Sequence, residues 1–523
     1  MTAYWTSLSH NGVAIPDPYR PEGLSIRVAG KPATLSPLGE EMAYHLAKKK
    51  ETPYIRDRVF VSNFMLDFVK LLPEWCRAAN FEQVDFSEVF RKVDREKKEK
   101  ETVSKESKKS LTANRKERRE KLKTRFGFAQ LDGEQVEIAN WLVEPPGLFM
   151  GRGAHPTRGH WKPRVTQEDV ILNLDENSPI PEGAWREIVH DHKSMWIAKW
   201  IDKLADKEKY VWLHESTPLL QSRNRAKYDA AMKVRVHLPK IRSRILKELS
   251  SKDEQKRQLA TISYLIDWVG MRVGDEKDED EADTVGATTL RVEHVKVEGT
   301  RLVLDFIGKD SVPWSKAIEP PPAVLRNIRA FTSSKKQGQL IFDDISSNMV
   351  NRFLSKIVAG LTAKVFRTHH ATYVAEAYLK ASDVRKKDEQ EKVYHAKMAN
   401  LEAAKFCNHQ RTIPKNWEQS LEKKKEKLNE LQNGKKKDEK RIRKMTMDID
   451  LQVKTKNYNL NTSLKNYIDP RLYKSWSDYV ALDWTKIYSA SMQRKFAWVN
   501  RAKLKWEPDE KETVEVVARA SLG

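Results

Sequence analysis

Two arginines and a histidine stand where their side chains could do chemistry on an anion. Leu259, Ile262, Ile266 and Val269 step by three, four and three along a helix, and Arg272 continues that stripe just before Gly274, which predicts the helix stop. A guanidinium at the inner edge of an apolar face needs an anion, unless it caps the carbonyls of its own helix. Arg367 lies between Gly360, which ends one predicted helix, and Ala371, Tyr373, Val374 and Ala377, which open the next. A helix N-terminus and a guanidinium could there face one phosphate. His409 follows a third helical stripe, Val393, Ala396, Asn400, Ala403 and Cys407; by itself it reads as a structural histidine.

Other chemistries fail on their spacing. Gly308-Lys309 is followed by Asp310 and lacks the upstream glycine of a phosphate-binding loop, so no ATP-driven step is implied. Gly151-Arg152-Gly153 continues Ala154-His155-Pro156 and loses the third glycine of a dinucleotide fingerprint. His190-Asp191-His192 has ligand types, but alternate residues followed by Trp196 and Trp200 read as structural. The run Asp275 to Asp283 could hold Mg²⁺ through Asp278-Glu279-Asp280; it reads as a solvated loop, because no second carboxylate cluster stands near a strand end to complete a two-metal site. The expectation is a reaction with no cofactor and no metal ligands.

The elements that must position these residues follow from periodicity. Residues 1 to about 90 mix short apolar runs with Pro and Gly punctuation, then a helical stretch from Leu38 to Lys48, and predict a compact α+β lobe. Arg91 to Arg125 holds 16 Lys and Arg against 7 Asp and Glu with few apolar residues, a solvated helix or a basic arm. Strands and loops return from Phe126 to about Leu219, with Trp141, Trp161, Trp185, Trp196 and Trp200 among basic residues. Helices dominate from Ser222 to Arg411, apart from a small antiparallel sheet: Val295 and Val297, then Leu302, Leu304 and Phe306, alternate around Glu298-Gly299, and Gly308-Lys309-Asp310 forms the next turn. Between Pro414 and Thr455, Leu421, Leu428 and Leu431 face Ile442, Met445, Ile449 and Val453 across Asn433-Gly434. This is a two-helix antiparallel coiled coil expected to project from the body. A short helical module and a polar tail follow.

Composition narrows the partners. The 523 residues carry 96 Lys and Arg against 74 Asp and Glu, a net charge of +22, so a polyanion is expected, and nucleic acid before an anionic membrane. With 39% hydrophobic residues and 15 Trp, the chain is too apolar to be largely disordered. Two cysteines, Cys76 and Cys407, exclude a disulfide framework and a four-cysteine zinc site. No stretch approaches the ~18 apolar residues that would span a bilayer, and no signal peptide opens the sequence. The expectation is a soluble, intracellular protein.

Several blocks then carry a specific resemblance. Glu144-Pro-Pro-Gly-Leu-Phe149 with Gly151-Arg-Gly-Ala-His-Pro156, Arg272-Val-Gly-Asp-Glu-Lys277, Ala282-Asp-Thr-Val-Gly286, Leu290-Arg-Val-Glu-His294, Phe306-Ile-Gly-Lys-Asp-Ser311, Gly360-Leu-Thr-Ala-Lys-Val-Phe-Arg-Thr368, Cys407-Asn-His-Gln-Arg411, Asn466-Tyr-Ile-Asp-Pro-Arg471 and Lys495-Phe-Ala-Trp498 resemble, in order and over nearly the whole chain, the eukaryotic-type (type IB) DNA topoisomerases. The resemblance implies an active site of Arg272, Lys309, Arg367, His409 and Tyr467. Tyr467 would attack a backbone phosphorus and leave a 3′-phosphotyrosyl link. Arg272, Arg367 and His409 would donate to non-bridging oxygens, and Lys309, on a mobile hairpin tip, would protonate the leaving 5′ oxygen, which an Arg cannot do. Resealing by the same exchange needs neither ATP nor metal.

It further implies that Arg152, Lys162, Lys364, Asp310, Asn408 and Asn466 contact DNA around the scissile phosphate. The fold class expected is α+β, a multi-lobed DNA clamp with a mainly helical catalytic domain. Residues 1–217 would form cap and lip lobes, 218–411 the catalytic core, 412–455 a coiled-coil linker and 456–523 the C-terminal domain with the tyrosine. A monomer encircling double-stranded DNA and relaxing supercoils of both signs is implied. So is a nuclear location, or a viral factory or virion if the source is viral, since no long charged extension with an import signal precedes Tyr4. Ala154 stands where the family usually has Asn, Thr157-Arg158-Gly159 differs from the common lip sequence, and His369-His370 replaces an aromatic-polar pair. The alternatives are a tyrosine recombinase, which usually has His where Lys364 stands, and a DNA-binding protein without catalysis.

Overall fold

The N-terminal half of the chain forms small sheets joined by capped helices, as its short apolar runs require. The structure, a computed structural model, describes residues 3–274, 283–434, 438–502 and 506–507. It divides into two compact units, and the change from one to the other falls after Thr217. The acidic run from Asp275 lies outside the described residues except for Asp283, as does the tail beyond residue 507.

In chain order the first unit holds β1 (Leu8–His10), β2 (Ser25–Val28), β3 (Lys31–Thr34), α1 (Pro37–Ala47), α2 (Arg58–Phe68), β4 (Val84–Asp85), α3 (Ser87–Thr102), α4 (Lys105–Phe126), β5 (Phe128–Leu131), β6 (Glu134–Glu137), β7 (Gly147–Leu148), β8 (Trp161–Lys162), β9 (Ile171–Asn173), β10 (Glu187–Val189), β11 (Trp196–Asp202) and β12 (Lys207–Trp212). The sheets run β1-β5-β6, β3-β2-β4, β7-β8 and β10-β9-β11-β12, all antiparallel except the β9–β10 pair. Helix α2 begins where the Asp57 carboxylate accepts the Val59 and Phe60 N–H groups, and its Phe60, Phe64 and Phe68, four residues apart, form a buried stripe. The basic run from Arg91 is helical throughout most of its length. Val89 and Lys92 anchor α3, whereas α4 buries no residue; Ser104 and Gly127 cap its ends, and Arg118 pairs with Asp17 while Arg119 lies over the Trp141 ring.

The second unit holds α5 (Pro218–Glu248), α6 (Glu254–Val269), β13 (Val295–Glu298), β14 (Arg301–Gly308), β15 (Val312–Ile318), α7 (Pro322–Thr332), α8 (Ser347–Ile357), α9 (Ala363–Ala381), α10 (Glu389–Phe406), α11 (Trp417–Asn433), α12 (Glu439–Lys454), α13 (Leu460–Asn466), α14 (Pro470–Tyr479) and α15 (Ala490–Lys495). The α+β class expected from the sequence holds. The β13-β14-β15 meander is the predicted sheet, with Leu302, Leu304 and Phe306 buried at period two. Helix α9 joins two hydrophobic cores: Ala363 and Phe366 pack with α6, α7, α8 and β14, while Ala371, Ala375 and Leu379 pack with α10 and α14.

Four expectations change. Helix α6 stops at Gly270, in the left-handed region at φ 78°, rather than at Gly274, so Arg272 lies beyond the helix and not on its stripe. A Cβ at Gly270 would also come within 3.0 Å of the Phe406 ring. Arg367 sits one turn inside α9 rather than at its first residues, because the helix already starts at Ala363. Helices α11 and α12 form the expected hairpin, but Val453 is 47% exposed and lies off its apolar seam. Nor does α12 project over its whole length: Tyr394 of α10 hydrogen-bonds Asp450, and Arg443 reaches Glu391 at 3.4 Å, docking this arm on the body.

Candidate active site

The segment after α6 carries Arg272 into place. Ala287 N–H donates to the Arg272 carbonyl at 2.9 Å, and Thr288 N–H to that of Val273 at 2.7 Å. This pairing brings Gly274 and Gly286 together so closely that a Cβ on Gly286 would fall 2.3 Å from the Gly274 Cα. From that frame Arg272 Nη1 donates to the phenol oxygen of Tyr467 at 3.2 Å.

Tyr467 caps the end of α13, its N–H on the Ser463 carbonyl at 2.9 Å, and is mostly buried. The Arg367 guanidinium lies 5.4 Å from the centre of its ring. Arg367 is only 4% exposed, and its charge is met by two backbone carbonyls, Gly270 at 2.6 Å and Cys407 at 2.7 Å, which end α6 and α10. The negative poles of two helix dipoles therefore hold this buried cation. Its Nε is buried without a hydrogen-bond partner among the described residues.

His409 follows α10 and stands with its ring centre 5.0 Å from that of Tyr467. Its Nδ1 pairs with the Ser463 hydroxyl at 2.7 Å, while Nε2 is buried without a partner among the described residues. Burial first, then the nearby Arg367 and Arg272 charges, push its pKa down to about 3, so the ring is neutral.

Lys309 opens the turn between β14 and β15, exposed, with Asp310 and Ser311 in left-handed conformations after it. It lines one small cavity together with Arg272, Arg367, Phe306, Trp314 and Asn408. The Asn408 amide is engaged on both sides: Nδ2 donates to the Pro313 carbonyl at 2.9 Å, and Oδ1 accepts from Gln410 at 2.8 Å. Lys364 is exposed in the first turn of α9, and Asn466 is exposed at the end of α13, where its carbonyl accepts from Lys227 at 2.9 Å. Arg152 and Lys162 belong to the first unit. Arg152 is exposed, whereas Lys162 is ion-paired with Glu144 and, at 3.2 Å, with Asp202. His190 and His192 bond the Leu174 and Trp5 carbonyls, and among the described residues no group of three or more His, Cys, Asp or Glu is placed to hold a metal. No described helix is long and apolar enough to cross a membrane.

Sequence reasoning missed three supports. Ser463, the partner of His409, carried no signal. Lys316 donates to the Val269 carbonyl at 3.4 Å, and burial lowers its pKa; a lysine sharing a strand face with Trp314 and Ile318 was a readable anomaly. His370, noted as a departure from the family pattern, donates from Nε2 at 2.7 Å to the buried Asp267 carboxylate, which also binds Arg242 at 2.9 Å. Burial alone would raise the Asp267 pKa, but these two partners hold it below its ordinary value.

Comparison with known proteins is consistent along the chain. The family model for the DNA binding fragment of eukaryotic DNA topoisomerase I matches residues 3–213, that for its catalytic core 216–442, and that for the C-terminal topoisomerase domain 439–508. The chain is 36% identical to DNA topoisomerase 1 beta of Arabidopsis thaliana, over 94% of this chain and 58% of the relative. To DNA topoisomerase 1 of Candidozyma auris it is 36% identical, over 99% and 68%, and to that of Homo sapiens 32%, over 94% and 70%. It thus spans less than two thirds of the length of the Arabidopsis relative. Three consecutive matches and identities of this size across nearly every residue leave one assignment: the chain belongs to the eukaryotic DNA topoisomerase I family.

Proposed function

We propose that this protein relaxes positive and negative supercoils in duplex DNA as a type IB topoisomerase. The observation that carries the reading is the convergence of Arg272, Arg367 and His409 on the Tyr467 phenol. A phenol becomes a usable nucleophile where cations favour its oxyanion. Tyr467 gives up its phenol proton to solvent and attacks the scissile phosphorus; its oxygen forms the new P–O bond as the bond to the 5′ oxygen breaks, and that oxygen leaves with a proton from Lys309. Arg272, Arg367 and the neutral His409 donate to the non-bridging oxygens as charge builds there. The broken strand rotates, the 5′ hydroxyl attacks the phosphotyrosyl link, and the bond energy is conserved, so no ATP enters.

On this reading residues 1–217 form the cap and lip of a clamp, 218–411 the catalytic core, 412–455 the linker and 456–523 the C-terminal domain. A single copy encircles the duplex, in the nucleus. Lys364, Asp310, Asn466, Asn408 and Arg152 contact DNA near the cut. Lys162 joins them by exchanging a carboxylate partner for phosphate. The net charge of +22 supports a polyanionic partner that carries about one charge per 1.7 Å of axis.

The test is relaxation of supercoiled plasmid in EDTA without ATP, with covalent adduct read on a denaturing gel. Relaxed topoisomers and a protein-linked 3′ end are expected. Unchanged linking number would refute the reading, and a requirement for paired recombination sites would point to a recombinase.

A further inference from the structure

We infer that Ser463 is a positioning residue for His409: its hydroxyl donates to Nδ1 and so sets the ring's one hydrogen on Nε2, as a neutral donor to a non-bridging phosphate oxygen. The inference rests on the phosphodiester reading given above and adds to it the device that gives the histidine its direction.

The geometry is a short chain of buried groups. Ser463 Oγ lies 2.7 Å from His409 Nδ1, and this is its one side-chain hydrogen bond among the described residues. Both residues are buried, His409 being 5% exposed and Ser463 fully enclosed. The Ser463 carbonyl meanwhile accepts the N–H of Tyr467 at 2.9 Å and of Ile468 at 3.1 Å. One residue of α13 therefore holds the backbone of the nucleophile and the ring beside it.

A neutral imidazole has a hydrogen on one nitrogen and a lone pair on the other, and the partner of the first nitrogen decides which is which. Two arrangements are open. If Nδ1–H donated to Oγ, the serine hydrogen would be buried without an acceptor, and the Nε2 lone pair would also lack a partner. If the hydroxyl donates to Nδ1, the Nε2–H and the serine lone pairs are unmatched, so each arrangement leaves one hydrogen and one acceptor without a partner and the serine can serve either. An anionic phosphate oxygen decides between them, since it attracts an N–H and repels a lone pair, and the hydroxyl then donates to Nδ1. Because the low pKa of His409 keeps the ring neutral at working pH, the tautomer and not the charge determines whether it can donate.

The test uses the full chain and a nicked suicide duplex. In ¹⁵N-histidine NMR spectra of Tyr467→Phe bound to a short duplex, Nδ1 of His409 should show an acceptor shift and Nε2 a protonated one; protonation at Nδ1 overturns the inference. Single-turnover cleavage by Ser463→Ala should slow by about tenfold, the lower range for loss of a group that orients a ring, with duplex affinity unchanged. Ser463→Thr, which keeps the donor, should return to within about twofold of the parent rate. On a His409→Ala background, Ser463→Ala should cost nothing further. If it slows that background by the same factor, Ser463 acts through the Tyr467 backbone and the inference fails. A parent protein that does not cleave DNA at all refutes the proposed function, while the spectrum still decides the tautomer. Should Ser463→Ala fold poorly, the spectrum and the threonine variant carry the test.

Discussion

Arg272 Nη1 donates a hydrogen bond to the Tyr467 phenol oxygen at 3.2 Å, across 195 positions of sequence. The bond joins a loop following α6 to the end of α13, and it sets a cation directly on the atom that would become the nucleophile. Removing that atom alone separates binding from chemistry. Tyr467→Phe should hold duplex DNA within a few fold of the parent and form no covalent adduct. Adduct still present on a denaturing gel would assign the nucleophile to another residue.

The two arginines should differ in what their loss does to the fold. Arg272→Ala and Arg367→Ala should each slow cleavage by about 10²–10³, as loss of one oxyanion donor does. Arg367 also bonds the Gly270 and Cys407 carbonyls from a buried position, so its removal leaves two helix ends short of a donor. Arg367→Ala should therefore lose about 1–3 kcal/mol of stability, while Arg272→Ala loses far less. Equal urea midpoints for the two variants would contradict this division.

Buried histidines make stability fall in acid. His409 is held at about 3 by burial and by Arg367 and Arg272. His369 is also held at about 3, by burial and then by His370. The unfolded chain protonates such groups at about 6.5. Between these values the unfolded state binds more protons, so stability rises with pH in that window and is lost as pH falls from about 6.5 toward 3. The urea midpoint should drop between about pH 7.5 and 4.5, and His369→Gln should reduce that drop. An identical drop in the variant would show that the His369 ring protonates freely in the folded protein.

The hairpin should govern rotation rather than bond chemistry. Between Lys415 and Lys444 it carries 12 Lys and Arg against 6 Asp and Glu, a positive arm beside which rotating DNA would meet electrostatic friction. Replacing Ser420 to Lys444 by a short flexible loop spares both partners of the Tyr394–Asp450 bond. Cleavage of a suicide duplex should stay within a few fold, and plasmid relaxation at moderate salt should become less processive. Loss of cleavage on the short duplex would mean that the segment positions Tyr467.

Local pattern by itself determined much of this protein. Alternation at Leu302, Leu304 and Phe306 defined the meander and the turn that bears Lys309, stripes of three and four defined α6 and α10, and Asn433-Gly434 marked the bend of the hairpin, because side-chain burial repeats at fixed periods within one element. The blocks around Arg272, Arg367, His409 and Tyr467 were legible differently: each is a short contiguous string that resembles a known family, and Tyr467 was singled out by that resemblance alone. Tertiary structure decided what those strings meet. That position 270 has no room for a Cβ is set by the Phe406 ring packed beside it, and the pairing of Gly274 with Gly286 depends on two backbones that approach only in the fold. The Arg367 cradle is built from the ends of two helices, and Ser463 finds the His409 ring 54 residues away in sequence. Such contacts leave no period in the sequence, since they arise from separate elements docking, and a serine or a carbonyl has no local pattern to announce its partner.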